Sequence, residues 1–208
     1  MENTFDQKAR EWDNDPVKVE RAQKVADAMR RQVAFTPGMK AMEYGCGTGL
    51  LTFALQDVLT DVTLADSSTG MLEVLKEKIV AAGVEERFKP LQLDLVNDPL
   101  PADRFDLLYS LLTLHHIKDT KAVLDAWTAI LAPGGYLCIA DLESEPGCYR
   151  PPDFEGHWGF ERTILQKWLE ERGFQHVKFE QAASMLRDID GEQVEFPLFL
   201  CCAEKRDI

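Results

Sequence analysis

Two kinds of segment alternate along this chain, and their order limits its fold more than any single residue does. Short apolar runs at Met39 to Tyr44, "DVTLAD" (61–66), "FKPLQLDL" (88–95), "RFDLLYSL" (104–111) and "YLCIADL" (136–142) have the character of strands. Between and after them lie helix-like stretches: Leu50 to about Leu59, "STGMLEVLKEKIVAAG" closing on Gly83, "DTKAVLDAWTAILAPGG" halted by proline and glycines, and "ERTILQKWLEERGF". Strands that alternate with helices build a mostly parallel α/β sheet, because each helix carries the chain back across a face and shields it from water. The end of the chain breaks the rule. "HVKFEQA" and "VEFPLFLCCAE" are joined through "DIDGEQ" with no helix between them, which predicts a terminal hairpin and therefore one antiparallel strand among seven. Pro197 lacks a ladder donor and belongs at a strand start or a bulge.

A further helix precedes the sheet. Asp15-Pro16 reads as an N-cap with proline at the first helical position, and Val19, Ala22, Ala26, Met29 and Val33 mark one face before Thr36-Pro37-Gly38 ends the segment. Residues 1–36 are thus expected to form a helical cap on one domain spanning 1–208. The length of 208 residues, 45% of them hydrophobic, suits one substantial core. No apolar run approaches the roughly 20 residues that cross a bilayer. The opening "MENTFDQKAREWDNDP" has neither the basic nor the apolar region of a signal peptide, so a cytoplasmic protein with no membrane partner is expected. The net charge of -13 disfavours a nucleic-acid partner. Cys46, Cys138, Cys148, Cys201 and Cys202 form no C-x-x-C pair and read as buried thiols, with no metal site.

The chemistry centres on "EYGCGTGLL" (43–51), a glycine loop between the first strand and a helix, where open parallel sheets bind ligands. A dinucleotide fingerprint, G-x-G-x-x-G, is not met: the third glycine comes one position early, at Gly49, and Leu50 stands in its place. No G-K-[ST] follows, which excludes a P-loop. Glu43 before the loop suits an ammonium better than a phosphate.

The loop resembles the first motif of class I S-adenosylmethionine-dependent methyltransferases, an acid followed by G-x-G-x-G. Further segments are similar to later motifs of that family in the same order: "ADSSTGML" after the second strand, "LQLDL" at the third, "FDLLYSLLTLHHIKD" at the fourth and "LAPGGYLCIADL" at the fifth. The resemblance covers roughly residues 38 to 142. It implies a Rossmann-like, doubly wound seven-stranded sheet, and it implies S-adenosyl-L-methionine as cofactor, with S-adenosyl-L-homocysteine as product. In that family Glu43, Gly45, Cys46, Gly47 and Gly49 would hold the methionine end. Asp66 would accept the ribose hydroxyls, with Ser67 beside it. Met71 would pack near adenine, Asp94 and the backbone of Leu95 would read its edge, and Ser110 would close the site at the fourth strand.

Methyl transfer is a displacement that needs alignment first and a general base only for weakly nucleophilic acceptors. His115, His116 and His157 are the candidate bases, alongside structural roles for each. "FDQKAREWD" resembles a segment that folds over the cofactor in small-molecule members, which makes Phe5 and Trp12 pocket-closing residues. The connection 143–160 holds four aromatics and is long for a plain link, so it reads as an acceptor lid with Tyr149, Trp158 and His157 facing the substrate. Arg150 in it reads as a solvated arginine, with pairing to an acidic acceptor as the alternative. Acidity and the absence of an added recognition domain favour a small-molecule acceptor and a monomer or homodimer. The resemblance points to the branch that includes quinone-biosynthesis enzymes; cysteines expected of an arsenite methyltransferase near the fourth strand are missing. A cofactor-binding pseudoenzyme, a protein methyltransferase and a nicotinamide-dependent reductase are the competing readings.

Overall fold

The computed structural model describes residues 4–149 and 154–207. A short helix α1 (Thr4–Lys8) and a 3-10 segment (Ala9–Asn14) lead into α2 (Pro16–Gln32). Helix α2 begins as its sequence requires: the Asp15 side chain accepts from Val17 N at 3.0 Å and Pro16 occupies the first turn. Its buried face is Ala22, Val25, Ala26, Ala28 and Met29. Val19, expected on that face, is 44% exposed, so the buried stripe begins one turn later at Ala22.

The sheet then forms from β1 (Lys40–Tyr44), β2 (Asp61–Asp66), β3 (Phe88–Gln92), β4 (Phe105–Leu111), β5 (Leu131–Leu142), β6 (Phe174–Ile189) and β7 (Glu192–Lys205), in the order β3-β2-β1-β4-β5-β7-β6. Pairs among β1 to β5 are parallel, and β7 alone runs against both of its neighbours. The chain builds outward from β1 to β3 and then restarts on the other side of β1 with β4. That reversal opens a crevice at the carboxyl ends of β1 and β4, the switch point where open α/β sheets take ligands.

Helices α3 (Leu50–Ala54), α4 (Thr69–Ala82), α5 (Thr120–Ile130) and α6 (Arg162–Glu170) complete the layers. Ser68 caps α4 by accepting from Met71 N, and Gly83 closes it in the left-handed region. One core, under α2, α3 and α4, gathers Met29, Leu51, Leu55, Leu64, Leu75 and Phe88. The other, under α5 and α6, centres on Trp127 with Phe105, Leu165, Phe174 and Phe199. Each such side chain, fully buried, contributes about 1.5–3 kcal/mol.

Several boundaries move. Helix α3 has five residues where ten were expected, and the third strand stops at Gln92, opposite Asp66, where β2 itself ends. "LAPGG" belongs to β5, with a bulge between Phe105 and Leu107 on its partner, instead of ending α5. The largest change is in the hairpin: β6 and β7 extend 16 and 14 residues and turn on Asp190-Gly191, both at positive φ, between the paired Ile189 and Glu192. Asp-Gly in that conformation matches the twist of its strands. Pro197 lies within β7, not at its start. Its partner strand shifts register between Gln181 and Ala183, and β5 has run out beside it at Leu142. The overhanging hairpin carries its own small cluster, Leu142, Tyr149, Met185 and Phe196.

Candidate active site

A cavity of about 1130 Å³ opens at the switch point. Its floor is the glycine loop, with Gly45, Gly47 and Gly49 at φ of 70°, 54° and 79°. Only glycine fits at 45, because a Cβ there would stand 2.2 Å from Thr113 Cγ2. Thr113 in turn donates its hydroxyl to Gly45 O at 3.3 Å and ties the β4 loop to the glycine loop. The loop's donors are turned inward. Gly45 N and Cys46 N go to Ala65 O, Gly47 N to Asp66 Oδ2 at 2.7 Å, and Gly49 N to Cys46 O. A loop that spends these N–H groups internally is a poor phosphate cradle.

Three acids face the same end of the cavity. Glu43 is 2% exposed and accepts from Thr52 N at 3.1 Å and from Thr52 Oγ1 at 2.5 Å. Burial raises its carboxyl to about 8, against the lowering effect of those bonds. Asp66 accepts from Gly47 N and Ser68 N, and burial raises it as well. Asp94 holds its own turn through Val96 N and Asn97 Nδ2. Cys46 lines the cavity, but burial, Glu43 and Asp66 push its thiol well above its ordinary value, so it is no thiolate nucleophile.

The N-terminal arm is pinned across the opening. Asp6 accepts from Ser68 Oγ at 2.5 Å and Gly70 N at 2.9 Å, at the start of α4. Asp13 accepts from the Thr48 hydroxyl and from Lys78 Nζ at 2.7 Å. These contacts set Phe5 and Trp12 in the cavity wall, ring centroids 6.0 Å apart, with Phe5 edge-on to His116 at 5.2 Å. The opposite wall is Leu111, Leu112, Thr113, Tyr149, Phe154 and Met185. Leu112 carries φ of 54°, a strained value for leucine, at the mouth of β4.

The methyltransferase domain family matches residues 42–139 of this chain. With the relatives that follow, that match indicates a class I S-adenosylmethionine-dependent methyltransferase. Among relatives of this family, a ubiquinone biosynthesis O-methyltransferase of Idiomarina loihiensis is 27% identical over 76% of this chain and 62% of its own length. A ubiquinone/menaquinone biosynthesis C-methyltransferase of Shewanella halifaxensis is 32% identical over 51% of this chain and 43% of its own. The chain therefore spans less than two thirds of these relatives. Among solved structures, magnesium protoporphyrin IX methyltransferase of Synechocystis PCC 6803 with bound SAH superposes with a TM-score of 0.66 at 15% identity, covering 90% of this chain and 83% of that one. At that identity the likeness shows the fold.

Within this methyltransferase fold the expected site residues divide. Glu43, Gly45, Cys46, Gly47, Asp66, Ser67, Met71, Asp94, His116, Trp12 and Tyr149 line the one cavity. Gly49 lies beneath it, capping α3 against Leu64 and Leu75. Leu95 is buried elsewhere and donates its N–H to Tyr44 Oη at 3.1 Å, so this group is already taken. Ser110 is buried inside β4 away from the cavity. His115 is fully buried, with Nδ1 2.6 Å from Asp141 Oδ1 and its N–H on Asp141 Oδ2; it sits behind His116, ring centroids 4.1 Å apart. His157 points away from the cavity: Nε2 meets Thr120 Oγ1 and Ile117 O, each at 3.0 Å, and its N–H bonds His115 O. Trp158 stands outside the wall, edge-on to Phe154 at 6.0 Å, and Phe154 takes the place expected for it.

The lid's two described ends pair through Ser144 N to Phe160 O and Glu145 N to Trp158 O. Arg150, the alternative partner for an acidic acceptor, lies outside the described residues. Cys148, expected buried, is exposed. Among the described residues no cluster of three His, Cys, Asp or Glu is placed to hold a metal, and no helix is long and apolar enough to cross a membrane. Sequence reasoning missed Leu111 to Thr113, although their place directly after β4 at the switch point would have found them. It missed Met185 and Arg187 too, and these carry no local signal because only the length of the hairpin brings them over the cavity.

Proposed function

We propose that this chain binds S-adenosylmethionine with its methionine end at the glycine loop and transfers the methyl group to a small molecule in the apolar half of the cavity. The observation that carries the reading is the inward use of the loop's N–H groups beside three acids. That chemistry fits an ammonium and a sulfonium and repels the pyrophosphate of a nicotinamide dinucleotide. When bound, S-adenosylmethionine supplies a methyl carbon made electrophilic by the sulfonium.

The chain's own residues do the rest. Gly45 O and Glu43 receive the ammonium. The remaining lone pairs of Asp66 accept the ribose hydroxyls, and Met71 and Asp94 frame the adenine. Phe5 and Trp12 shut out water over the reacting centre, which keeps the acceptor aligned. His116, the histidine of the cavity wall, is placed to take a proton from an acceptor hydroxyl. His115, locked to Asp141, holds His116 in position by packing against it. The acceptor atom follows no single relative, since those matched include both O- and C-methyltransferases.

The test is calorimetric titration of the protein with S-adenosylmethionine, S-adenosylhomocysteine and NADH, followed by a screen of metabolite extracts for methylated product. Binding of the first two but not NADH, with a product that gains one methyl, is the expected result. Binding of NADH alone would overturn the reading. Binding of S-adenosylmethionine with no product from any extract would favour a pseudoenzyme.

A further inference from the structure

We propose that the acceptor carries an oxyanion, a carboxylate or a phosphate ester, on an apolar body, and that Arg21 and Arg187 receive that charge. The inference rests on the acceptor half of the cavity described above and names the class of molecule it takes. In a chain with 36 acids against 23 lysines and arginines, a guanidinium ordinarily finds a carboxylate. Arg10 pairs with Glu77, Arg30 with Asp27 and Asp57, Arg31 with Glu180, Arg162 with Glu143 and Arg172 with Asp125. Arg87, Arg104 and Arg206 have no carboxylate partner among the described residues but lie away from the cavity; Arg21 and Arg187 differ from all of these. Both line the cavity, and neither is ion-paired to a carboxylate among the described residues.

Their contacts converge on one apolar patch. Arg21 Nη1 donates to Met185 Sδ at 2.8 Å, and a thioether is a weak acceptor. Tyr149 Oη meets the same sulfur at 3.2 Å, and the Arg187 guanidinium lies 4.4 Å from the centre of the Tyr149 ring. Arg21 is partly buried, and that burial pulls its guanidinium below its ordinary value, opposed by Tyr149 and Asp15. A desolvated cation with no counter-ion costs stability, and an incoming anion would recover it. Of the other cations of the wall, Lys18 is engaged by Asp15 at 3.5 Å and by the Trp12 ring at 4.0 Å and Lys118 by Glu155 at 2.6 Å, while Lys8 is exposed on the N-terminal arm.

The cavity is thus polarised. Glu43 and Asp66 lie at the glycine loop, whereas Arg21 contacts the hairpin from α2 and Arg187 stands on the hairpin itself. A planar guanidinium presents a fork that matches two oxyanion oxygens at once, a geometry an amide cannot use fully. The field of the cavity would therefore align an anionic acceptor with its charged end toward Met185 and its reactive end toward the sulfonium.

The experiment titrates 4-hydroxybenzoate, 4-hydroxycinnamate and phenyl phosphate, with the primary amides of the two acids as controls, into protein with and without S-adenosylhomocysteine. Wild type should bind at least one anion about tenfold or more tightly than the amides, as a charge-assisted pair allows. Arg21→Gln and Arg187→Gln should each shrink that preference and the double variant should abolish it, with affinity for S-adenosylhomocysteine unchanged. Arg21→Lys should restore part of it. If Arg21→Gln does not fold, Arg187→Gln decides. The larger gap, for the carboxylates or for phenyl phosphate, identifies the oxyanion. Equal affinity for acids and amides, no heat from any anion, or a preference that survives both substitutions would overturn the proposal. S-adenosylhomocysteine failing to bind while the anion preference stands would overturn the cofactor reading alone.

Discussion

Glu43 should make the unliganded protein lose stability as pH rises through neutrality. The carboxyl is buried, and its pKa is raised from the ordinary 4.5 to about 8 by that burial. In the unfolded chain it releases its proton near 4.5, so between these values the native state holds a proton that the unfolded state does not. Raising pH in that window favours unfolding. The contribution of protonated Glu43 is complete below 4.5 and lost as pH climbs through about 8. At ~1.36 kcal/mol per pH unit, the span from pH 5.5 to 8 corresponds to about 3 kcal/mol. The assay is urea unfolding of wild type and Glu43→Gln at pH 5.5 and 8.5. Glutamine keeps an oxygen for Thr52 and removes the titration, so the variant should gain about 3 kcal/mol on wild type across the interval. A cofactor ammonium beside Glu43 would favour the carboxylate. Binding of S-adenosylhomocysteine at pH 7 should then release close to one proton in wild type, read by calorimetry in buffers of different ionisation enthalpy, and none in Glu43→Gln. Parallel stability profiles for the two proteins would mean that Glu43 is ionised throughout, and the electrostatic account of the loop would fail.

Asp66→Asn should weaken S-adenosylmethionine binding about 10- to 100-fold by calorimetry, because it removes charge-assisted bonds worth ~1.5–3 kcal/mol; unchanged affinity would remove Asp66 from the site. Gly45→Ala must displace Thr113 and should cost about 2–4 kcal/mol in denaturant unfolding, whereas Gly47→Ala, with Met71 Sδ 3.8 Å away, should cost only the ~1–2 kcal/mol of left-handed strain. Asp13→Ala removes the Thr48 and Lys78 contacts of the arm and should speed limited proteolysis near Trp12, with S-adenosylhomocysteine restoring protection; equal cleavage would mean that packing alone holds the arm. Phe154→Ala should raise the acceptor KM at unchanged cofactor affinity, and Trp158→Ala should do so less, since Trp158 reaches the site only through Phe154; the reverse ranking would restore Trp158 to the wall.

The strand and helix order, the reversed last strand and the glycine loop were legible in the chain because each rests on local chemistry: apolar runs, a cap such as Asp15-Pro16, a turn such as Asp190-Gly191. So was the glycine-loop end of the cavity, since Gly45 to Gly49 and Asp66 belong to segments that end neighbouring parallel strands, and parallel pairing places those ends side by side. The acceptor end was not legible. Which of three histidines faces the cavity depends on where Asp141 and Thr120 lie, and those residues are 26 and 37 positions away from His115 and His157. Leu95 looked like an adenine contact until Tyr44, 51 residues earlier, was found on its N–H. Arg21 on Met185 and Arg187 on the Tyr149 ring come together only because the long β6–β7 hairpin reaches back to α2, and no periodicity within either segment encodes that meeting. Local propensity determined the elements and the glycine loop; long-range packing decided which side chains share the cavity, because proximity in a folded chain is set by the whole sheet and not by the residues that meet.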